Sequence, residues 1–211
     1  ILGLPIPNEK SASSNSNFTK NKTAHESDAK GGAVSVHSAT LDFDNAAFTE
    51  NSTCKNGGAI YVSYTTASLV NSDVNIKNSR FEKNTAGNAG GAIYATKHTV
   101  ETKEDEIVNI KNTSFSENTA ALGGAAYFTA YSDAYMKDVT FTKNTASSTK
   151  VNSYGGALYL TNSAVAEIDG GQFTENSSTY CAGAVSLHSS ARAVMNEVVK
   201  SDGKIIDNEI Y

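Results

Sequence analysis

The chain has 211 residues, a net charge of −5, no Trp and only two Pro residues. This length allows one large domain or two small ones, and two prolines exclude a proline-rich linker. The negative charge and the lack of any run of five Lys or Arg residues argue against nucleic acid as a partner. No apolar stretch approaches the roughly 18 residues that cross a bilayer, so direct membrane insertion of this segment is not expected.

The chain begins with ILGLPIP at Ile1 rather than with Met. A signal peptide would carry a basic first region that these residues lack, so this start suggests a processed or excised piece. Residues 1–17 precede the first repeat motif and are predicted to form an N-terminal cap or a linker.

A four-residue motif, FxxN, recurs along the chain. Its Phe and Asn residues are Phe18 and Asn21, Phe48 and Asn51, Phe81 and Asn84, Phe115 and Asn118, Phe141 and Asn144, and Phe173 and Asn176. A degenerate copy, IIDN, follows at 205–208, and the successive spacings are 30, 33, 34, 26, 32 and 32 residues. A period near 30 is typical of a repeat architecture.

A second motif, GGA, alternates with the first and becomes AGA in the sixth copy. Its glycines are Gly31, Gly32, Gly57, Gly58, Gly90, Gly91, Gly123, Gly124, Gly155, Gly156 and Gly183. The residues after it alternate as in a strand with one apolar face. Another short strand precedes each Phe and carries a residue that tolerates left-handed backbone. These turn residues are Asn45, Asn78, Asn112, Asp138 and Gly170.

These short strands and sharp turns predict an all-β fold, a right-handed parallel β-helix of about six to seven rungs stacked about 4.8 Å apart. We expect residues 18–193 to form the β-helix, and residues 194–211 to form a degenerate last rung and a C-terminal cap. The stacking should turn each Phe into one ring of an internal stack, each Asn into one amide of a turn ladder, and each GGA into a tight corner. The residue before each Asn alternates between Lys and Glu, which suits stacked rungs because opposite charges attract.

The pairing of FxxN with GGA resembles the repeats of the polymorphic membrane proteins of chlamydiae, over about residues 18–208. Similar repeats occur in other bacterial and some eukaryotic surface proteins. The resemblance implies the β-helical passenger of an autotransporter adhesin, displayed at the outer membrane or secreted, or a relative that is exported another way. It implies adhesion to a glycan or protein of the host cell or matrix. The resemblance assigns this adhesion to the repeats as a group and not to any single catalytic residue.

Two other classes remain as alternatives. A structural filament would stack β-solenoids end to end with other copies of the chain, and would need open strand edges at both ends. The segments ILGLPIP and 194–204, which break the pattern, could serve as caps or as joints. Polysaccharide lyases and hydrolases are also β-helices, but they need carboxylates gathered on neighbouring rungs. Asp44 and Asp169 lie at opposite ends of their column, so we predict no enzyme and no cofactor.

Two outward columns are candidate binding residues. Lys77, Lys111 and Lys137 are spaced one rung apart and could bind sulfated or sialylated glycans, or could form a solubilising face. The second column consists of Tyr61, Tyr94, Tyr127 and Tyr159. Its rings could bind sugars or a partner, or could stack only on one another.

The remaining reactive residues indicate little chemistry. His37 and His188 occupy equivalent positions five rungs apart, while His25 and His98 are predicted to lie in loops, so no metal site is expected. The acid-rich segment 101–106 is predicted to be an inserted loop. Cys54 and Cys181 lie in rungs two and six, about 19 Å apart by the rung spacing, too far for a disulfide. They are predicted to be free thiols or lateral cross-links.

Five N-x-[ST] sequons could accept a glycan, at Asn17, Asn21, Asn51, Asn112 and Asn176. Three of them belong to FxxN, where the turn should occupy the amide. Asn112, at an exposed turn, is the best candidate acceptor, and Asn17 is the other.

Overall fold

The structure, a computed structural model, describes residues 11–25, 27–63, 72–97, 108–200 and 205–206. Over these residues the chain forms 25 strands and no helix. His98, the predicted loop at 101–106, the segment ILGLPIP and Asn208 of the degenerate motif lie outside the described residues.

The strands follow the rungs in chain order. Rungs one and two comprise β1 (Ser11–Ser14), β2 (Asn17–Thr19), β3 (Lys22–Thr23), β4 (Val34–His37), β5 (Thr40–Asp44), β6 (Ala47–Thr49), β7 (Ser52–Thr53) and β8 (Ile60–Ser63). Rungs three and four comprise β9 (Asp73–Lys77), β10 (Arg80–Glu82), β11 (Thr85–Ala86), β12 (Ile93–Thr96), β13 (Val108–Lys111), β14 (Ser114–Ser116), β15 (Thr119–Ala120) and β16 (Ala126–Thr129). The later rungs comprise β17 (Asp133–Thr142), β18 (Thr145–Ala146), β19 (Leu158–Leu160), β20 (Val165–Thr174), β21 (Ser177–Ser178), β22 (Val185–Leu187), β23 (Arg192–Asn196), β24 (Val198–Lys200) and β25 (Ile205–Ile206).

Three sheets run along the solenoid axis, and each of the first six rungs adds strands to all of them, whereas the last described strands, β23 to β25, join sheet I. Sheet I has 13 strands in two arms, which the ten-residue strands β17 and β20 join. Sheet II runs in the order β21-β18-β15-β11-β7-β3, and sheet III in the order β22-β19-β16-β12-β8-β4. Neighbouring rungs pair in parallel and in register, so the predicted parallel β-helix is confirmed.

A stack of phenylalanine rings forms one wall of the core. Ring centroids of successive FxxN motifs lie 4.6–4.8 Å apart, with planes within 10° of parallel. Phe81, Phe115 and Phe141 have no exposed surface, whereas the terminal rings Phe18 and Phe173 are partly buried. The predicted internal stack is therefore confirmed, at the spacing that parallel strands impose.

Replacing Phe115 with leucine should lower the free energy of unfolding by about 1.5 kcal/mol, because the ring then no longer stacks on Phe81 and Phe141. Urea unfolding followed by far-UV circular dichroism measures this loss. The matched control is Phe173→Leu at the half-buried end of the stack, which should cost less than half as much. Equal losses at the two positions would contradict an ordered internal stack.

The last rung differs from the sequence prediction. β23 and β24 pair in parallel with β20, which brings Lys200 beside Phe173. β25 then pairs antiparallel with β24, with Ile205 opposite Val199. The prediction of an FxxN copy at 205–208 is therefore wrong, because Lys200 and not Ile205 lies beside Phe173, and Ile205 belongs to an antiparallel strand. Residues 192–196 and 198–200 nevertheless continue the parallel stacking as a further rung, although their sequence departs from the repeat pattern.

Candidate binding face

The outer face of the first arm of sheet I carries the predicted lysine column. Val74 and Ile76 of β9 are buried, so the alternating residues of that strand point outward. Parallel register stacks Lys77, Lys111 and Lys137 on successive rungs, with Asp44 and Asp169 at the two ends of the column. We call this surface the lysine face.

The two outer lysines of the column are paired with these acids. Lys77 Nζ lies 3.2 Å from Asp44 Oδ2, and Lys137 Nζ lies 2.7 Å from Asp169 Oδ2. Hydrogen bonds from Asn78 and Lys77 lower the pKa of Asp44 below its ordinary value, and the hydrogen bond to Asp169 raises the pKa of Lys137. The column therefore keeps one central lysine between two ion pairs.

Lys111 is that central residue. Its Nζ lies 5.5 Å from the ring centroid of Tyr135, a cation–π distance. Among the residues that the structure describes, Lys111 forms an ion pair with no carboxylate. Its ammonium group is therefore the cation of this column most available to an anionic ligand.

Two open grooves border the lysine column. The strand groove, of about 360 Å³, is lined by Asn75, Lys77, Asn109 and Lys111, with Asp42 at its edge. The turn groove, of about 330 Å³, is lined by Asn78, Asn112, Arg80 and Ser114, with Asp138 at its edge. Among these described residues each groove has one carboxylate, whereas acid/base glycoside hydrolysis uses two.

The turn groove follows a bend that the sequence specifies. Asn45, Asn78 and Asn112 have φ angles of 47–53°, which lie in the left-handed region. Asn tolerates this region better than most residues, and the left-handed turn predicted at these positions is present. Asn112 Nδ2 donates to Asn78 Oδ1 at 2.8 Å, and Asn78 Nδ2 donates to Asp44 Oδ1 at 2.9 Å. This exposed amide ladder fixes the side chains at the edge of the groove.

Sequence reasoning missed several residues of this face, namely Arg80, Asn75, Asn109 and Tyr135. A signal was available: the pentapeptide VNIKN occurs twice, at 74–78 and 108–112, while the equivalent segments of the other rungs differ. Parallel register stacks the two copies residue on residue. The two identical rungs supply most of the polar lining of both grooves.

The FxxN asparagines form a second, buried ladder with a structural role. Asn51, Asn84, Asn118 and Asn144 have no exposed surface, whereas Asn21 is exposed and Asn176 is half-buried. Asn84 Nδ2 donates to Asn118 Oδ1 at 3.0 Å, and the backbone N–H of Asn84 donates to the same oxygen at 2.9 Å. The predicted amide ladder is thus confirmed.

The alternating Lys/Glu column lies on the turn before each of these asparagines. All six residues have φ angles of 54–57°, which the sequence analysis did not foresee because Lys and Glu rarely adopt left-handed backbone. Lys20 pairs with Glu50 at 3.7 Å and Lys143 with Glu175 at 3.6 Å. Lys83 instead pairs with Glu82, its neighbour in sequence, at 3.3 Å. These side chains are largely exposed, so the column is a solvated surface feature.

The GGA motif forms the corner before sheet III, as predicted. The first glycine of each copy has a φ of 59–69°, and Ala182 takes this position in the sixth copy with a φ of 55°. The second glycine stacks against the next rung so closely that a Cβ at Gly91 would overlap the carbonyl oxygen of Gly124. The second position of the corner therefore has no room for a side chain between rungs.

The tyrosine column is more buried than an outward column would be. Tyr61 and Tyr159 are 8% and 7% exposed, and burial raises the pKa of Tyr127 and of Tyr159. Tyr61, Tyr94 and Tyr127 stack on one another at centroid distances of 5.0 and 5.2 Å. Because these ring faces contact one another, the stack offers a sugar little free aromatic surface.

The histidines and cysteines do not converge on one site. His37 is the last residue of β4 and His188 directly follows β22, so the two histidines occupy equivalent positions in their rungs, as predicted. Cys54 and Cys181 are free and exposed, and Cys54 Sγ donates to the His25 carbonyl at 2.9 Å. Within the described ranges, no group of three His, Cys, Asp or Glu residues could hold a metal ion.

The sequons differ in accessibility. Asn51 is buried and its amide belongs to the ladder, so that sequon is closed. Asn17 and Asn112 are exposed, although Asn112 Nδ2 is hydrogen-bonded to Asn78. Glycosylation of these two residues stays a prediction.

These features define a class of protein: a parallel β-helix with a polar, groove-lined face on one side. A family model, the Chlamydia polymorphic membrane protein repeat, matches residues 45–63, 78–96 and 138–161. Each match begins at the left-handed Asn or Asp of the sheet I turn and continues through FxxN and GGA into sheet III. The chain therefore carries repeats of this family, as its motifs predicted. Comparisons with curated proteins and with solved structures found no match.

Repeats of this family suggest a surface-exposed passenger of the autotransporter type, and the family is a non-enzymatic, adhesin-type one. Its members are associated with the outer membrane and the cell surface. Within the described part of this chain, no helix has the length and hydropathy to span a membrane.

Proposed function

We propose that this protein is a non-enzymatic, extracellular adhesin module that binds a host cell or matrix through the lysine face. The observation that carries the proposal is the contrast between two sets of residues. The FxxN and GGA residues of the inner rungs are buried against neighbouring rungs. The lysine face, in contrast, is exposed, polar and bordered by two grooves. Side chains that the fold does not need are the ones available for binding.

Cell binding by matched triple variants tests the proposal. Lys77, Lys111 and Lys137 changed together to Gln should lower binding of the purified chain to host cells by about tenfold or more, because the cations of the face are lost. The control triple changes Lys20, Lys83 and Lys143 to Gln, which removes the same charge from the alternating column, at the turn between sheets I and II. Equal binding by the two triple variants would contradict the proposal.

A structural filament is the second candidate function. Among the described residues, β4 and β22 are the edge strands of sheet III, and such edges can pair with another chain. Concentration-dependent assembly in analytical ultracentrifugation, with fibres in negative-stain electron microscopy, would support end-to-end stacking. A monomer at all concentrations would leave the adhesin as the better proposal.

A further inference from the structure

We infer that the two VNIKN rungs bind a sugar that carries a single carboxylate group, and that the lysine face does not bind polysulfated chains. This inference rests on the proposed function and specifies its ligand class. It assigns the central role to Lys111, with Asn109, Asn112 and Tyr135 around it.

The charge pattern of the face selects a ligand with one negative charge. Two adjacent outward columns of the first arm contain three lysines, Lys77, Lys111 and Lys137, against four carboxylates, Asp42, Asp44, Glu167 and Asp169. The third outward column adds two more carboxylates and one cation, Asp73, Asp133 and Arg192. A polysulfated chain extends over several rungs and would meet these carboxylates at both ends of the column. A single carboxylate could pair with Lys111 alone, because Lys77 and Lys137 already form ion pairs with Asp44 and Asp169.

The groups around Lys111 suit a hydroxyl-rich ligand. The amides of Asn75, Asn78, Asn109 and Asn112 line the grooves. Asn75 Nδ2 already donates to Asp42 and Asp73, Asn78 Nδ2 to Asp44, and Asn112 Nδ2 to Asn78, so the remaining donor and acceptor positions are the ones that can bond to sugar hydroxyls. The half-buried ring of Tyr135 follows Asn109 in its column, where it can pack against the apolar face of a sugar ring. Cation, amides and ring therefore lie on adjacent rungs.

The grooves suit a sugar better than a peptide. Peptide ligands usually anchor apolar or aromatic side chains in pockets. Phe43 and Ile76 border the strand groove, but each is 1% exposed, so neither offers an apolar pocket. The exposed lining consists of amides, hydroxyls and charged groups.

Four probes distinguish the possible ligands: a sialylated trisaccharide, its unsialylated parent, a uronate-containing tetrasaccharide and heparin. We expect the full chain to bind at least one of the two carboxylated sugars in isothermal titration calorimetry. It should bind the unsialylated parent about tenfold more weakly or worse, and heparin no more tightly. Preference between the sialylated and the uronate probe identifies the source of the carboxylate.

Two variants test the assignment. Lys111→Gln should weaken binding of the carboxylated sugar about tenfold or more, while Lys143→Gln, on the alternating column, should leave it unchanged. Asp44→Asn combined with Asp169→Asn should release Lys77 and Lys137 and should raise heparin binding at least tenfold. Circular dichroism of each variant checks that the exposed substitutions leave the fold intact.

Three results would overturn the inference: tighter binding of heparin than of either carboxylated sugar by the wild-type chain, an unchanged affinity in Lys111→Gln, or no binding of either carboxylated sugar. If cell binding still depends on the lysine face while both carboxylated sugars fail to bind, the ligand class is wrong and the adhesin proposal stands. If neither triple lysine variant changes cell binding, the adhesin proposal itself fails.

Discussion

Replacing Gly124 with alanine should lower the free energy of unfolding by more than about 4 kcal/mol, or prevent folding. A Cβ at this position would overlap the carbonyl oxygen of Gly156 and would lie 2.6 Å from the carbonyl carbon of Thr145. Both are backbone atoms of the next rung, which cannot rotate away as a side chain can. Separating the rungs would break the parallel hydrogen bonds on either side of the corner.

A second variant makes the opposite change, Ala182→Gly, at the first position of the motif in the sixth copy, which is equivalent to Gly123 and has no close contact of the Gly124 kind to lose. Ala182 has a φ of 55°, which glycine adopts without strain, although glycine also gains freedom in the unfolded chain. We expect the free energy of unfolding to be unchanged or raised by up to about 1 kcal/mol. Urea unfolding of both variants measures the difference. A Gly124→Ala protein as stable as wild type would mean that the rungs are not in close contact at this corner.

Replacing Asn118 with alanine is expected to cost on the order of 4 kcal/mol, because the change leaves several buried polar groups without partners. Asn118 Oδ1 accepts from the backbone N–H and from Nδ2 of Asn84, and its Nδ2 donates to the Phe81 carbonyl at 3.0 Å. Asn118 has no exposed surface, so water does not replace these hydrogen bonds in the folded protein.

Asn112→Ala is the control for the buried amide. It removes an amide of the same chemistry from the exposed ladder of the sheet I turn, where water can satisfy the partners. We expect a cost of about 1 kcal/mol or less, part of which comes from placing alanine at a φ of 47°. Urea unfolding of the two variants in parallel provides the measurement, and similar losses would show that the FxxN ladder is not specially stabilised by burial.

The repeat made much of the fold predictable. Because every rung stacks on the next in register, a residue that recurs about every 30 positions forms a column. Each residue of a column must therefore pack favourably against another residue of the same type. Phe stacks on Phe, Asn bonds to Asn, and glycine meets glycine at the corner. Each of these columns could be assigned from residue type alone.

Three features could not be predicted in this way. The left-handed backbone at the Lys/Glu column, as at Lys83, is imposed by the turn geometry and has no signature in those residue types. The antiparallel pairing of Ile205 with Val199 depends on how an edge strand is completed and not on the repeat. The ring contacts that bury most of Tyr61 and Tyr159 depend on neighbours from other parts of the chain.

By itself, the sequence determined the parallel β-helix, its repeat family and the lysine column, since these follow from periodicity and from the residues that stacking requires. Only the tertiary structure decided which lysine of that column is available. Asp44 and Asp169 are 125 residues apart in sequence, and each pairs with a lysine about 30 residues away, Lys77 and Lys137. Such pairing depends on distances across rungs, which residue types along one chain do not encode. That pairing leaves Lys111 at the centre of the face.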